Sequence, residues 1–97
     1  MLNEVFLAGT IQGELRPMRL KEAEERFIFR LKVARDQGGS DSVNCVVEDS
    51  ALLKFFNRSC NNQTVSVAGR IQSRFFRSGS GVASVLEVLV QDIKKVD

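Results

Sequence analysis

The sequence predicts an all-β barrel of five strands with one helix between the third and fourth. Three observations carry that prediction. Apolar residues recur at every second position in several separate runs, turns rich in glycine and serine divide the runs, and a single stretch switches to three- and four-residue spacing. A chain of 97 residues closes one hydrophobic core, so residues 1–97 are expected to form a single domain.

The first run, LNEVFLAGTI at 2–11, is rich in β-branched and aromatic residues and is expected to end near Gly13. Val5, Leu7 and Ile11 are its candidates for the inner face; Phe6 and Ala8 then point outward, either incidentally or as a strand-pairing seam between copies. Residues 12–25, with Pro17 and the polar KEAEE run, read as a connection able to hold a short helical turn. In RFIFRLKVAR, at 26–35, Phe27, Phe29, Leu31 and Val33 alternate with Arg26, Ile28, Arg30, Lys32 and Ala34, which gives one apolar and one cationic face. After the turn DQGGSDS, the run SVNCVVE sets Val43, Cys45 and Val47 against Asn44, Val46 and Glu48.

SALLKFFNRSC is expected to be the helix and to plug the core. Ser50 is its candidate N-cap, and Leu52, Leu53, Phe55, Phe56 and Cys60 recur at helical intervals. In TVSVAGRIQSRFF, Val65, Val67, Gly69 and Ile71 are expected inside, with Arg70, Gln72, Arg74 and Phe76 outside. RSGSG at 77–81 reads as a hairpin tip. The fifth strand, about 82–96, is apolar at nearly every step, as expected if it is covered on both faces or sits in an oligomer contact. Three strands, a helix and two strands match the connectivity of the OB-fold, a Greek-key barrel that binds oligonucleotides or oligosaccharides.

Composition argues against catalysis. There is no histidine, and no nucleophile–base pair, phosphate loop or dinucleotide fingerprint is present, so no enzyme activity is expected. Cys45 and Cys60 lack metal-ligand spacing and read as buried, reduced thiols. The carboxylates Asp36, Asp41, Glu48 and Asp49 suit turn formation and helix-end charge compensation, so neither a metal nor another cofactor is expected. No run is long enough to span a membrane, and the start MLNEVFLAG lacks a signal pattern; a cytoplasmic location is expected.

The net charge is only +2, yet the cations are clustered. Arg26, Arg30, Lys32 and Arg35 share one stretch free of acids, and Arg70, Arg74 and Arg77 share another. Such clusters on strands of one barrel suit a phosphate-binding groove better than scattered solubilising charge, although solvated strand faces often carry Arg and Lys too.

Several blocks resemble the bacterial single-stranded DNA-binding protein (SSB) family, including its PriB-like relatives. They are Asn3 to Ile11, Phe29 to Arg35, Val43 to Val47 and Gly69 to Arg74, in family order across the chain. The resemblance implies single-stranded DNA binding in replication, repair or recombination. It also implies a homodimer or homotetramer formed partly by first-strand pairing through Asn3, Val5, Phe6 and Ala8. On that reading Arg30, Lys32, Arg70 and Arg74 neutralise phosphates, with Arg35 and Arg77 at the adjoining loops. Phe76 stands where the family commonly carries a stacking aromatic; the alternative is a hairpin-tip anchor.

The chain departs from the family in having no tryptophan or tyrosine, with Ser42 and Glu48 where the family often places aromatics. Two missing platforms remove roughly 2–6 kcal/mol of stacking, and Glu48 repels phosphate if it faces the groove. The four-residue turn from Ser78 to Gly81 leaves less loop to wrap DNA, and the sequence ends at Asp97 without the acidic tip usual in SSBs. These departures leave open a second reading, a PriB-like replication-restart adaptor working mainly through replication or repair proteins. RNA binding is a third, since the same groove chemistry permits it.

Overall fold

The computed structural model describes residues 1–18, 26–56 and 60–96. Its strands are β1 (Val5–Met18), β2 (Arg26–Ala34), β3 (Ser40–Val47), β4 (Thr64–Ser78) and β5 (Gly81–Lys95), with a 3₁₀ helix over Ser50–Phe56. They close into a barrel in the order β1-β2-β3-β5-β4. Every neighbouring pair is antiparallel except β3 and β5, which run parallel because the helical crossover lies between β3 and β4. This is the five-stranded OB-fold.

The inner face follows the period-two pattern. Ile11, Phe29, Leu31, Cys45, Val47, Val65, Val67, Val88, Val90 and Ile93 are buried together, and Leu7, Val33 and Val43 pack partly buried against them. Two glycines let strands approach within this shell. A Cβ on Gly9 would collide with the Lys32 carbonyl oxygen, and one on Gly69 with that of Leu89. Both thiols are buried, and burial pushes the Cys45 thiol up to about 12.

Several boundaries differ from expectation. β1 does not stop at Gly13 but continues to Met18, so residues 12–18 are strand and not connection. Gly13, at φ 81°, absorbs a register shift between Gln12 and Arg16, which lets Leu15 reach the core and Pro17 pair with Phe27. The KEAEE run lies outside the described residues.

The helix is 3₁₀ over Ser50–Phe56 and not an α-helix over 50–60; residues 57–59 of that expectation are outside the described set. Its N-cap is Asp49 and not Ser50, since Asp49 Oδ1 accepts from the Ala51 N–H at 2.9 Å. The plug role holds. Leu52, Leu53, Phe55 and Phe56 pack against the core, with the Phe56 ring centroid 5.3 Å from that of Phe29.

Two side chains break the expected inside–outside pattern. Val46, expected outside, is fully buried; the pairing sets it abreast of Ile28 and Leu89, so three apolar outward positions stand side by side. Ile71 shares the parity of the inward residues of β4 but is 45% exposed. The last pairing of β4 with β1 is Gly69 with Val5, and β5 meets β3 only at Val88 and Leu89, so Ile71 lies where the β4–β5 ribbon leaves the barrel.

Candidate nucleic-acid interface

Alternation along β2 turns Arg30 and Lys32 outward, and both are exposed. On either side stand polar residues, Gln12 beside Arg30 on β1 and Asn44 and Ser42 beside Arg30 and Lys32 on β3. The Ser42 hydroxyl donates to Gln12 Oε1 at 3.0 Å, a polar bridge across the outer side of β2. Gln12 carries neither a charge nor an aromatic ring, so nothing in the sequence singles it out, and Ser42 stands out only as a position where the resembled family often has an aromatic.

On β4, Arg70, Gln72, Arg74 and Phe76 share the outward face. Arg70 is exposed. Arg74 is fixed in place: its Nε lies 3.2 Å from Glu87 Oε2, and its guanidinium carbon sits 5.7 Å from the centre of the Phe76 ring. The Glu87 carboxylate is almost wholly buried and also accepts from Gln72 at 3.5 Å. Sequence reasoning misses Glu87 because it stands as a single acid within the apolar run of β5; that isolation is its only sequence signal. Phe76 keeps 43% of its surface exposed, leaving ring area for a flat ligand.

The barrel order decides how these groups relate. β2 and β4 are separated by β3 and β5 on one side and by β1 on the other. Arg30 and Lys32 therefore do not abut Arg70 and Arg74; they mark opposite ends of a β2–β3–β5–β4 surface, three strand spacings or roughly 14 Å apart. Phe76 is the one outward aromatic at the described positions of that surface.

Two expected cations are already engaged or placed differently. Arg35, in the turn after β2, forms a two-pronged pair with Asp41 through Nε at 3.0 Å and Nη2 at 2.5 Å. The Arg35 side chain holds the Asp41 carboxyl below its ordinary value, and the guanidinium is raised in turn by the same hydrogen bond. Arg77 is not in a loop but in β4, since the hairpin turns over two residues only. Glu48 is not a bare anion: its Oε1 lies 3.0 Å from Arg26 Nε.

At the proposed oligomer seam, the four residues separate. Phe6 and Ala8 are exposed, and Val5 packs partly buried against the core. Asn3 hydrogen-bonds within its own chain, its side-chain amide donating to the Ile71 carbonyl at 2.8 Å and accepting from the Ile71 N–H at 3.0 Å. Phe6 and Ala8 border a shallow depression of about 420 Å³ also lined by Ser66, Ala68, Asp92 and Lys94. Val5 to Gly9 pair with β4 on one edge, and their other edge has no strand partner among the described residues.

Solved structures share this architecture over the whole chain. A Plasmodium falciparum SSB in complex with single-stranded DNA superposes with a TM-score of 0.81 at 19% identity, covering 100% of this chain and 96% of that one. The dimeric N-terminal domain of PriB from Thermoanaerobacter tencongensis gives 0.75 at 23% identity, with 98% and 97% coverage. Rim1, a mitochondrial single-stranded DNA-binding protein from S. cerevisiae, gives 0.78 at 16% identity, with 99% and 97% coverage. No protein-family model and no curated protein sequence matches the chain. The shared feature is the fold, an OB-fold of the SSB and PriB type.

Proposed function

We propose that this chain is a non-enzymatic single-stranded DNA-binding module serving replication, repair or recombination. The observation that carries the reading is the outward β2–β3–β5–β4 surface, with free cations Arg30 and Lys32 at one end and Arg70, Arg74 and a partly exposed Phe76 at the other. Phosphates are neutralised at the two ends, and a base stacks on Phe76 next to the Arg74 guanidinium. Between the ends, Asn44 is polar, Val46 is buried, and the charge of Glu87 is answered by Arg74, so among the described residues the path holds no uncompensated anion that would repel DNA.

Assembly follows from the open edge of β1. Pairing two such edges about a two-fold axis would continue the sheet from one copy into the next and set Phe6 and Ala8 beside their counterparts on one sheet face. The binding groove is on other strands and stays accessible.

A salt titration of fluorescent oligo(dT) binding, run beside light scattering for mass, tests the reading. The expected result is a log–log slope of about −0.7 per phosphate neutralised, with comparable affinity for other homopolymers. Salt-independent binding contradicts it, and tighter binding to an equal-length RNA reassigns the ligand. The adaptor reading draws support from Phe76 being the single outward aromatic of the described groove. Millimolar DNA affinity alongside micromolar affinity for a purified replication protein decides for that alternative.

A further inference from the structure

Beyond the barrel, β4 and β5 continue as a two-stranded ribbon from Gln72 to Ser78 and from Gly81 to Glu87, with no third strand among the described residues. A lone ribbon is marginally stable in water unless one face is covered. The face turned away from Phe76 and Arg74 is apolar and open: Ile71, Phe75, Val82 and Leu86 are 45%, 71%, 73% and 67% exposed. All four share the parity of the barrel interior, because Ile71 pairs with the buried Val88, and Ser73, Phe75 and Arg77 pair with Leu86, Ser84 and Val82.

The order of large and small groups on this face is self-complementary. One rung carries Ser73 and Leu86, the next Phe75 and Ser84, so each holds one bulky side chain and one serine. Consider a two-fold axis in the plane between two arms, perpendicular to the strands and midway between these rungs. It reverses the strands and lays each rung on its neighbour. Phe75 then rests over the partner's Ser73, and Leu86 over the partner's Ser84, at the spacing of packed sheets, while the two barrels lie at opposite ends.

Area and charge both favour this occupant. At about 150–250 Å² for a large side chain, the exposed fractions leave roughly 450 Å² of apolar surface per copy. The serines, Arg77 stem and backbone around them bring the patch towards the ~800 Å² per partner of a stable interface. Arg77 is the one charged group on this face among the described residues, too few for a polyanion to be held there.

We propose that the inner face of the β4–β5 arm is a docking surface for a second copy of this chain, packed antiparallel and face to face. This contact is separate from the β1 edge, and it leaves the Phe76–Arg74 faces of both arms outward.

Light scattering on the full chain at micromolar concentration, with Phe6 unchanged throughout, tests the arrangement. Phe75→Asp and Ser73→Lys should each halve the assembly mass of the unsubstituted protein. Mixing the two variants in equal amounts should restore it, because the carboxylate introduced at position 75 of one copy then meets the ammonium introduced at position 73 of the other, while the second rung keeps its native contact. Leu86→Ser, which adds no charge, should halve the mass as well and keep the native circular dichroism. Mass unchanged in the variants, an unsubstituted chain that is monomeric, or no recovery on mixing overturns the proposal. Loss of oligo(dT) affinity in Phe75→Asp at constant mass overturns it too and assigns the face to nucleic acid.

Discussion

The Arg74 guanidinium lies 3.2 Å from the Glu87 carboxylate and 5.7 Å from the centre of the Phe76 ring, so one buried acid holds both a cation and an aromatic ring at the surface. Glu87 is nearly inaccessible, whereas the Arg74 side chain remains 30% exposed. Removing Arg74 would strand the carboxylate with, among the described residues, a single weak donor, Gln72 at 3.5 Å. Arg74→Ala is expected to lower stability by about 3 kcal/mol in urea unfolding. Replacing both partners with leucine should recover most of that loss, because no buried charge remains uncompensated.

DNA binding should respond unequally to the cations. Arg30→Glu and Arg70→Glu are expected to weaken oligo(dT) binding about tenfold or more and to flatten the salt slope, read by fluorescence titration. Arg35→Glu should have a smaller effect, because Asp41 already engages that guanidinium. Phe76→Ala should remove about 1–3 kcal/mol of binding free energy with little change in the slope. Equal losses from Arg35→Glu and Arg30→Glu would place the turn after β2 inside the groove.

The close strand approaches make a sharp prediction about glycine. Gly69→Ala and Gly9→Ala drive a methyl group into the carbonyl oxygens of Leu89 and Lys32, backbone atoms that cannot move aside. Each is expected to destabilise the barrel by about 3 kcal/mol or more, or to prevent folding, as read by thermal denaturation. Gly81→Ala is the control. Its Cβ would meet nothing nearer than the Ser78 carbonyl oxygen at 3.9 Å, so a change within about 0.5 kcal/mol is expected.

Cys45 sets an alkaline limit. Its thiol is raised by burial from 9.0 to about 12, so the native state favours the protonated form. The resulting stabilisation is fully present below pH 9 and is lost as pH rises towards 12. Cys45→Ala should flatten stability against pH in that range. At pH 8, Cys45 in the folded protein should alkylate about a thousandfold more slowly than in urea, and equal rates would show that the thiol is accessible.

Much of the fold is legible because strand alternation depends on residues two apart. Phe27, Phe29, Leu31 and Val33 line the interior as their spacing predicts, and so do Val65 and Val67. Gly13 misleads as a stop because a glycine at positive φ suits a bulge as well as a turn. Ile71 misleads because parity gives the face of a strand but not the point where the strand leaves the barrel. The short 3₁₀ form of the helix escapes for a related reason: Leu52, Phe55 and Phe56 satisfy three- and four-residue spacing alike.

In the candidate groove, the outward direction of Arg30, Lys32, Arg70 and Arg74 comes from local alternation alone. Their separation does not, since the barrel order β1-β2-β3-β5-β4 arises from long-range pairing that local periodicity cannot encode. Nor can spacing reveal that Arg35 is answered by Asp41 or Arg74 by Glu87, contacts that depend on where loops and paired strands bring side chains.

Residue order alone sets which residues alternate, which runs become strands and which side chains carry charge, because these follow from short-range sterics and hydrophobic patterning. Tertiary structure alone decided which cations remain free, how far apart the two cationic ends lie and which apolar face stays open. Those properties depend on closure of the barrel, where residues distant in the chain become neighbours and the β4–β5 ribbon continues past the strands that would have covered it.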